Sequence, residues 1–342
     1  MQLLRWFLFP FTILYTLIIL VRNKMYDIGI FKSKTFPVKT IVIGNLAIGG
    51  TGKSPLTQLL LKHFGNKFRI ATLSRGYGRT TKGFRLVQLS DPVLAVGDEP
   101  LQFKKNFPNM TIAVDENRAE GIEILQKDHD LIVLDDAFQH RKITGKCNIL
   151  VFDFTSLQKP MLLLPTGNLR DTMNQTKRAD MVVISKSPHE ISDLQRVAIA
   201  RKIRRYNPSV KLYYSFIAYL EPIALNSFSK LPSIDSDLQI LLVTGIANPQ
   251  PLLDYLGNKS TILQHLKFPD HHLFTEADYH RIISAFEAYQ NPHKIILTTE
   301  KDAQRLDVSK LASYPLYYLP IQTKIEMEND FFQHIITCVN KP

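Results

Sequence analysis

Ala47-Ile48-Gly49-Gly50-Thr51-Gly52-Lys53-Ser54 is the segment whose residue types and spacing are most specific to one chemistry. Its glycines let backbone N–H groups wrap a phosphate. The lysine that follows reaches the β- and γ-phosphates, and the serine hydroxyl ligates Mg²⁺. This is a Walker A loop, G-x-x-x-x-G-K-[ST], with Ala47 in place of the first glycine. Apolar Thr40–Ile43 precedes it. The helical pattern Leu56, Leu59, Leu60 follows, with Pro55 in the first turn, where its missing N–H is tolerated. A strand before and a helix after put the bound anion at a helix N-terminus. A glycine-rich turn capping a helix, with a surface lysine, is the weaker reading.

Leu131-Ile132-Val133-Leu134-Asp135-Asp136 is an apolar strand ending in two carboxylates. Alone the pattern is common. Paired with the Walker A loop it reads as a Walker B acid set that holds Mg²⁺ beside the phosphates. Four polar clusters follow other candidate strands or extended segments. They are Ser74-Arg75-Gly76-Tyr77-Gly78-Arg79, Gly97-Asp98-Glu99-Pro100, Asp115-Glu116-Asn117-Arg118 and Gly167-Asn168-Leu169-Arg170-Asp171. Each by itself is as readily a capped turn or a surface ion pair. Four together, in the loops where α/β sheets place their sites, point to one shared site. Phe268-Pro269-Asp270-His271-His272 and Thr298-Thr299-Glu300-Lys301-Asp302 come later in the chain. The paired histidines lack the spacing of a zinc motif, so they are assigned no metal.

The elements that must position these loops are legible as short β-branched runs. They are Thr40–Ile43, Ile70–Leu73, Thr111–Val114, Leu131–Leu134, Ile149–Phe152 and Met181–Ile184. Unbroken apolar runs mark strands buried on both faces, and their alternation with helical patterns predicts a doubly wound, mostly parallel α/β sheet of P-loop type. A Pro- and Ser-containing stretch from Tyr213 to Ser236 reads as a linker or exposed hairpin. Ile240–Val243 and Ile295–Leu297 then resume the pattern in a second, smaller α/β domain. The expected organisation is an N-terminal membrane helix over residues 1–25, a P-loop domain over 26–212, the linker over 213–236 and the smaller domain over 237–342.

Of the 342 residues, 45% are hydrophobic and 21% charged, enough for two globular domains without disulfide staples. The two cysteines, Cys147 and Cys338, form no framework or zinc pattern. A net charge of +11 favours an anionic partner. The one basic cluster, Arg201, Lys202, Arg204 and Arg205, has no aromatic residues interleaved, so lipid or small-molecule anions are favoured over nucleic acid. From Trp6 to Val21 the chain is almost wholly apolar, bounded by Arg5 and by Arg22 and Lys24. This run is shorter than a full span of about 20 residues. The basic residues after it argue against a cleavable signal. The expectation is a retained anchor, peripheral or monotopic, with basic ends at the headgroups. A buried core helix is the alternative.

With these motifs in view, the chain resembles the tetraacyldisaccharide 4'-kinase family of Gram-negative bacteria. The strings that carry the resemblance run over nearly the whole length: GNLAIGGTGKSP, LSRGYGR, VGDEP, LDDAFQHR, LPTGNLRD, LLVTGIANP, FPDHH and TTEKD. A small residue at the first P-loop position is also similar to the family's pattern. The resemblance implies transfer of the ATP γ-phosphate to the 4'-hydroxyl of a tetraacylated glucosamine disaccharide 1-phosphate, on the cytoplasmic face of the inner membrane. It implies Asp98 as the catalytic acid–base residue, with His271 as its partner. Glu99, Asp135 and Asp136 would form the acidic Mg²⁺-associated set with Ser54. Arg118, Arg170 and Asp171 match positions lining the site, and Arg75 and Asn168 in the same loops are counted with them as substrate-facing. No obligate protein partner is implied.

Three other classes compete. A membrane-bound P-loop switch or partitioning ATPase would carry an early signature lysine where Ile48 stands. A GTPase would show D-x-x-G after the Walker B strand and N-K-x-D further on, whereas Asp135-Asp136-Ala137-Phe138 stands here. A nucleic-acid ATPase rests on net charge alone.

Overall fold

The computed structural model describes residues 5–226 and 234–341. Among these, strands β1 (Lys39–Gly44), β2 (Ile70–Ser74), β3 (Arg85–Leu86), β4 (Thr111–Val114), β5 (Leu131–Leu134), β6 (Cys147–Asp153), β7 (Met181–Ser185), β8 (Lys211–Tyr219) and β14 (Ile321–Ile325) build a nine-stranded sheet. Its order is β14-β8-β7-β6-β1-β5-β2-β4-β3. All neighbours are parallel except the edge pairs β3–β4 and β8–β14. The P-loop strand β1 sits between the Walker B strand and β6, with Val42 paired to Leu134 on one side and Asn148 on the other.

The unbroken apolar runs have the cause expected of them. Ile41, Ile43, Val133, Ile149 and Val151 join one core, together with the helix Lys53–Phe64. Val42, Ile132, Leu134, Leu150 and Phe152 point the other way into a second. Because side chains alternate across a strand, covering both faces leaves few positions for polar residues.

A five-stranded sheet forms the smaller unit among the described residues. It comprises β9 (Ile223–Ala224), β10 (Gln239–Thr244), β11 (Thr261–Lys267), β12 (Lys294–Thr299) and β13 (Leu316–Leu319), in the order β11-β10-β12-β13-β9. Two expected boundaries need correction. Residues 213–219 of the stretch read as a linker from Tyr213 belong to β8, whose Tyr213-Tyr214-Ser215 core is buried between β7 and β14. Within that stretch, 227–233 lie outside the described residues. The tail assigned to the smaller domain also returns to the large sheet. There β14 pairs with β8, and helix Glu328–Val339 buries Phe331, Phe332 and Ile335 in the core shared with the P-loop helix. The chain therefore crosses between the two units twice.

Helix Phe9–Asp27 is apolar on the outside. Thr12 and Asn23 are its buried residues, and they bond inward to Thr166 at 2.7 Å and Asp171 at 2.8 Å. Tyr15 donates to the Arg170 carbonyl, and Arg22 to that of Gln139. Meanwhile Phe7, Phe11, Leu14, Leu17, Ile18 and Val21 are more than half exposed. No described helix is long and apolar enough to cross a membrane. The first four residues of the expected anchor lie outside the described residues.

Candidate active site

The site assembles at the C-terminal ends of the parallel strands, where β1, β2, β4 and β5 each release a polar loop. The P-loop leaves β1 with Gly49 at φ +98° and Gly52 at φ +81°, left-handed conformations that an L side chain resists. Gly52 begins helix Lys53–Phe64, so the N-terminal amides of that helix open onto the loop. Asn45 donates to Thr51 Oγ1 at 2.8 Å and bonds Arg170 through its carbonyl oxygen, tying both ends of the loop.

Asp135 and Asp136 stand at the end of β5, beside the loop. Lys53 Nζ lies 3.7 Å from Asp136, and Arg170 Nη2 lies 2.5 Å from it. Asp135 accepts from Thr57 at 2.9 Å. Burial pushes the Asp135 pKa up, and the carboxylates of Glu99 and Asp136 push it further. Asp136 behaves oppositely. Burial raises its pKa, but Lys53 and Arg170 outweigh that and hold it low. Ser54 Oγ donates to Glu99 Oε1 at 2.8 Å, so the P-loop hydroxyl already faces the acidic set.

Asp98 opens helix Asp98–Asn106 and is 5% exposed. His271 reaches it from the smaller unit, its Nδ1 2.9 Å from Asp98 Oδ2. The histidine holds φ +59°, a backbone state of the kind found where structure over-determines a functional residue. Two cations that the sequence motifs did not assign close the cluster. Lys301 Nζ lies 3.7 Å from Asp98, 3.5 Å from Glu99 and 3.3 Å from His271 Nε2. Arg305 lies 3.5 Å from Asp98 and 3.3 Å from Asp302. Burial raises the Asp98 pKa. The His271 imidazole, Lys301 and Arg305 overcome this and bring it to about 2. The carboxylate is therefore ionised at neutral pH, and buried Oδ2 has no hydrogen bond of full geometry. It is a buried acceptor with capacity to spare.

The remaining expected residues separate. Arg118 is buried and donates to the carbonyls of Asp115 and Asp135, leaving its Nε without a partner. Arg75 is exposed at the end of β2. Asn168 is exposed too. Its carbonyl accepts from the P-loop Ile48 N–H at 2.8 Å and its side chain accepts from Arg5. Asp171 accepts from the Asn23 amide and the Thr172 N–H, both through Oδ1, and so ties the N-terminal helix to the Arg170 loop. His272 pairs with Asp278 at 2.9 Å, away from Asp98. Lys301 lies within the TTEKD string and Asn45 within GNLA, but neither string by itself gives the residue a role.

The arrangement is that of a phosphoryl-transfer site. A P-loop and acidic pair lie on one unit, and a carboxylate–imidazole pair is contributed jointly by both. Comparison with known proteins agrees. The family model for tetraacyldisaccharide-1-P 4'-kinase matches residues 4–340. Among similar proteins, the tetraacyldisaccharide 4'-kinase of Flavobacterium psychrophilum is 41% identical over 99% of this chain and 98% of its own. That of Bacteroides thetaiotaomicron is 38% identical over 98% and 93%. A crystal structure of LpxK from Aquifex aeolicus in complex with ATP aligns with a TM-score of 0.75 at 27% identity, covering 98% of this chain and 99% of the other. This chain belongs to the tetraacyldisaccharide 4'-kinase family.

Proposed function

We propose that this protein transfers the ATP γ-phosphate to the 4'-hydroxyl of a tetraacyldisaccharide 1-phosphate, with Asp98 as the base. The observation that carries the assignment of roles is the Asp98–His271 pair, joined at 2.9 Å between the P-loop unit and the smaller one. A sugar hydroxyl is a very weak acid, and in a loose transition state its proton moves late, so the base chiefly orients it. The ionised Asp98 carboxylate accepts that proton as the new oxygen–phosphorus bond forms and the bond from the γ-phosphorus to the bridging oxygen of ADP breaks, releasing ADP. His271 fixes the carboxylate and offers an onward path for the proton. Lys53 and the P-loop amides hold the phosphates, where preorganised donors stabilise developing charge. Arg75, Arg118, Arg170 and Asn168 are the groups available to the substrate's own phosphate and sugar.

The acidic set fits Mg²⁺. Burial and neighbouring carboxylates raise the Asp135 pKa, a repulsion that a divalent cation relieves, and the Ser54 hydroxyl sits against Glu99. Ser54, Glu99, Asp135 and Asp136 would hold it, and it would neutralise charge on the transferring phosphoryl group.

Lys301 touches both halves of the reacting pair and is expected to contribute to the rate. Lys301→Met is predicted to lower kcat by about 10²-fold while changing the Kd for ATP little, since a charge aimed at the reacting centre acts on the transition state. Purified-enzyme kinetics with equilibrium nucleotide binding checks this. An equal loss in kcat and ATP affinity would place Lys301 in nucleotide binding instead.

The outward apolar face of helix Phe9–Asp27 supports a membrane-surface location, and the need for ATP favours the cytoplasmic side. A groove of about 250 Å³ beside it, lined by Phe9, Ile13, Leu17 and Met161–Leu163, offers acyl chains an apolar wall. Replacing Leu14 and Ile18 together by Asp is predicted to cut vesicle binding by more than tenfold, because each buried aliphatic chain is worth about 1.5–3 kcal/mol. The inward bonds of Thr12 and Asn23 remain, so the melting temperature should stay within a few degrees. Unchanged co-sedimentation at high salt would place the anchor elsewhere.

A further inference from the structure

Lys186 is an ordinary-looking lysine after β7, in Ser185-Lys186-Ser187, but its backbone is not ordinary. It holds φ +52°, in the left-handed region that non-glycine residues avoid. Bonds on either side enforce this: Ser187 N donates to the Ser215 carbonyl at 2.9 Å, and Ser187 Oγ to that of Ile184 at 2.9 Å. The conformation sends the side chain back over the sheet end to the P-loop. Lys186 Nζ donates to the Gly50 carbonyl and stands 3.4 Å from Asp153 at the end of β6. The preceding residue does the same one peptide further on. Ser185 Oγ lies 2.6 Å from the Thr51 carbonyl, and a Cβ placed on Gly52 would sit 3.2 Å from Ser185 Cβ. Two consecutive residues of one loop thus engage two consecutive carbonyls of another.

We propose that Lys186, with Ser185, is a positioning residue for ATP that fixes the peptide orientation of the P-loop. In a trans peptide unit the C=O and the following N–H point in opposite directions. Holding the Gly50 carbonyl toward Lys186 turns the Thr51 N–H away from it. Holding the Thr51 carbonyl toward Ser185 does the same for the Gly52 N–H. Helix Lys53–Phe64 begins at Gly52, so on this proposal the Thr51 and Gly52 N–H groups join the helix's N-terminal amides in facing the phosphate. Gly49 and Gly50 have open space where a Cβ would go, so glycine freedom at these positions is not consumed by packing. Without an external restraint these peptides can flip, and a flipped peptide presents a carbonyl to an anion. Asp153 keeps the ammonium at its station. This role concerns nucleotide binding and does not depend on which group deprotonates the acceptor.

The test uses the full chain without lipid substrate. The Kd of a non-hydrolysable ATP analogue with Mg²⁺ is measured by titration calorimetry for wild type, Lys186→Met, Lys186→Arg and Ser185→Ala. KM values for ATP and lipid follow in the kinase assay. Loss of a charge-assisted bond predicts Kd raised about tenfold or more in Lys186→Met. KM for ATP should rise in parallel while lipid KM stays within about twofold. Lys186→Arg, which keeps the charge and a donor, should recover most of the affinity. Ser185→Ala should weaken binding about threefold or more. A Kd within twofold of wild type in Lys186→Met would overturn the proposal. So would equal losses in the Met and Arg variants, which would mark the lysine as merely structural. Should Lys186→Met fail to fold, Ser185→Ala decides, and binding within twofold of wild type overturns the idea.

Discussion

Lys53→Ala is expected to lower kcat by about 10³-fold or more. Phosphoryl transfer is achieved by positioning and charge stabilisation, with little covalent work for the protein. Lys53 is the cation fixed at the start of the P-loop helix, 3.7 Å from Asp136 and mostly shielded from water. Water exclusion makes its charge worth far more than it would be on the surface, and removing several kcal/mol of transition-state stabilisation gives a rate loss of this order. Helix Lys53–Phe64 is anchored by buried Leu56, Leu60 and Phe64, which the substitution does not touch. The folded state should therefore persist, and circular dichroism with a melting curve is the control. Near-normal turnover by a folded Lys53→Ala enzyme would remove the P-loop from the mechanism.

Asp98→Ala and His271→Ala are each expected to cut kcat by about 10²- to 10⁴-fold, the range for losing general-base assistance, with ATP affinity little changed. The double variant should fall well short of the product of the two losses, because groups that act as a unit lose their function together. Asp98 also sets the pH behaviour. Its pKa is depressed from the ordinary carboxylate value to about 2, so the interactions that depress it stabilise the folded protein above pH 4 and are lost as pH falls toward 2. Activity loss between pH 8 and 5 therefore does not report protonation of Asp98. His272→Ala is the internal control, since His272 pairs with Asp278 and stacks on Phe268. Strict additivity, or greater damage from His272→Ala, would dissolve the pairing.

The central strands were legible in the sequence because burial on both faces writes an unbroken apolar run, as in Leu131–Leu134. The strands that escaped notice obey other rules. β3 and β9 are two residues each, too short to show a period. β11 carries Gln264 and His265 within a half-exposed edge strand. β8 was obscured by Glu221-Pro222 just beyond its end. The return of β14 to the first sheet is a long-range pairing, between Ile321 and Tyr219, that no local pattern encodes. The site followed the same division. The P-loop and the acidic strand end are local signatures, whereas Lys301 and Arg305 matter only because folding brings them to Asp98. Lys186 was invisible for a different reason: its significance lies in a backbone angle and a carbonyl partner.

The most direct test of the account follows the phosphate itself. Purified enzyme is incubated with Mg²⁺, γ-labelled ATP and a tetraacyldisaccharide 1-phosphate, and the lipid product is mapped by mass spectrometry with fragmentation. The account predicts one added phosphoryl group, carrying the label, on the 4'-oxygen, and loss of that product in Asp98→Ala. ATP hydrolysis without labelled lipid, or label placed on the existing 1-phosphate, would contradict it.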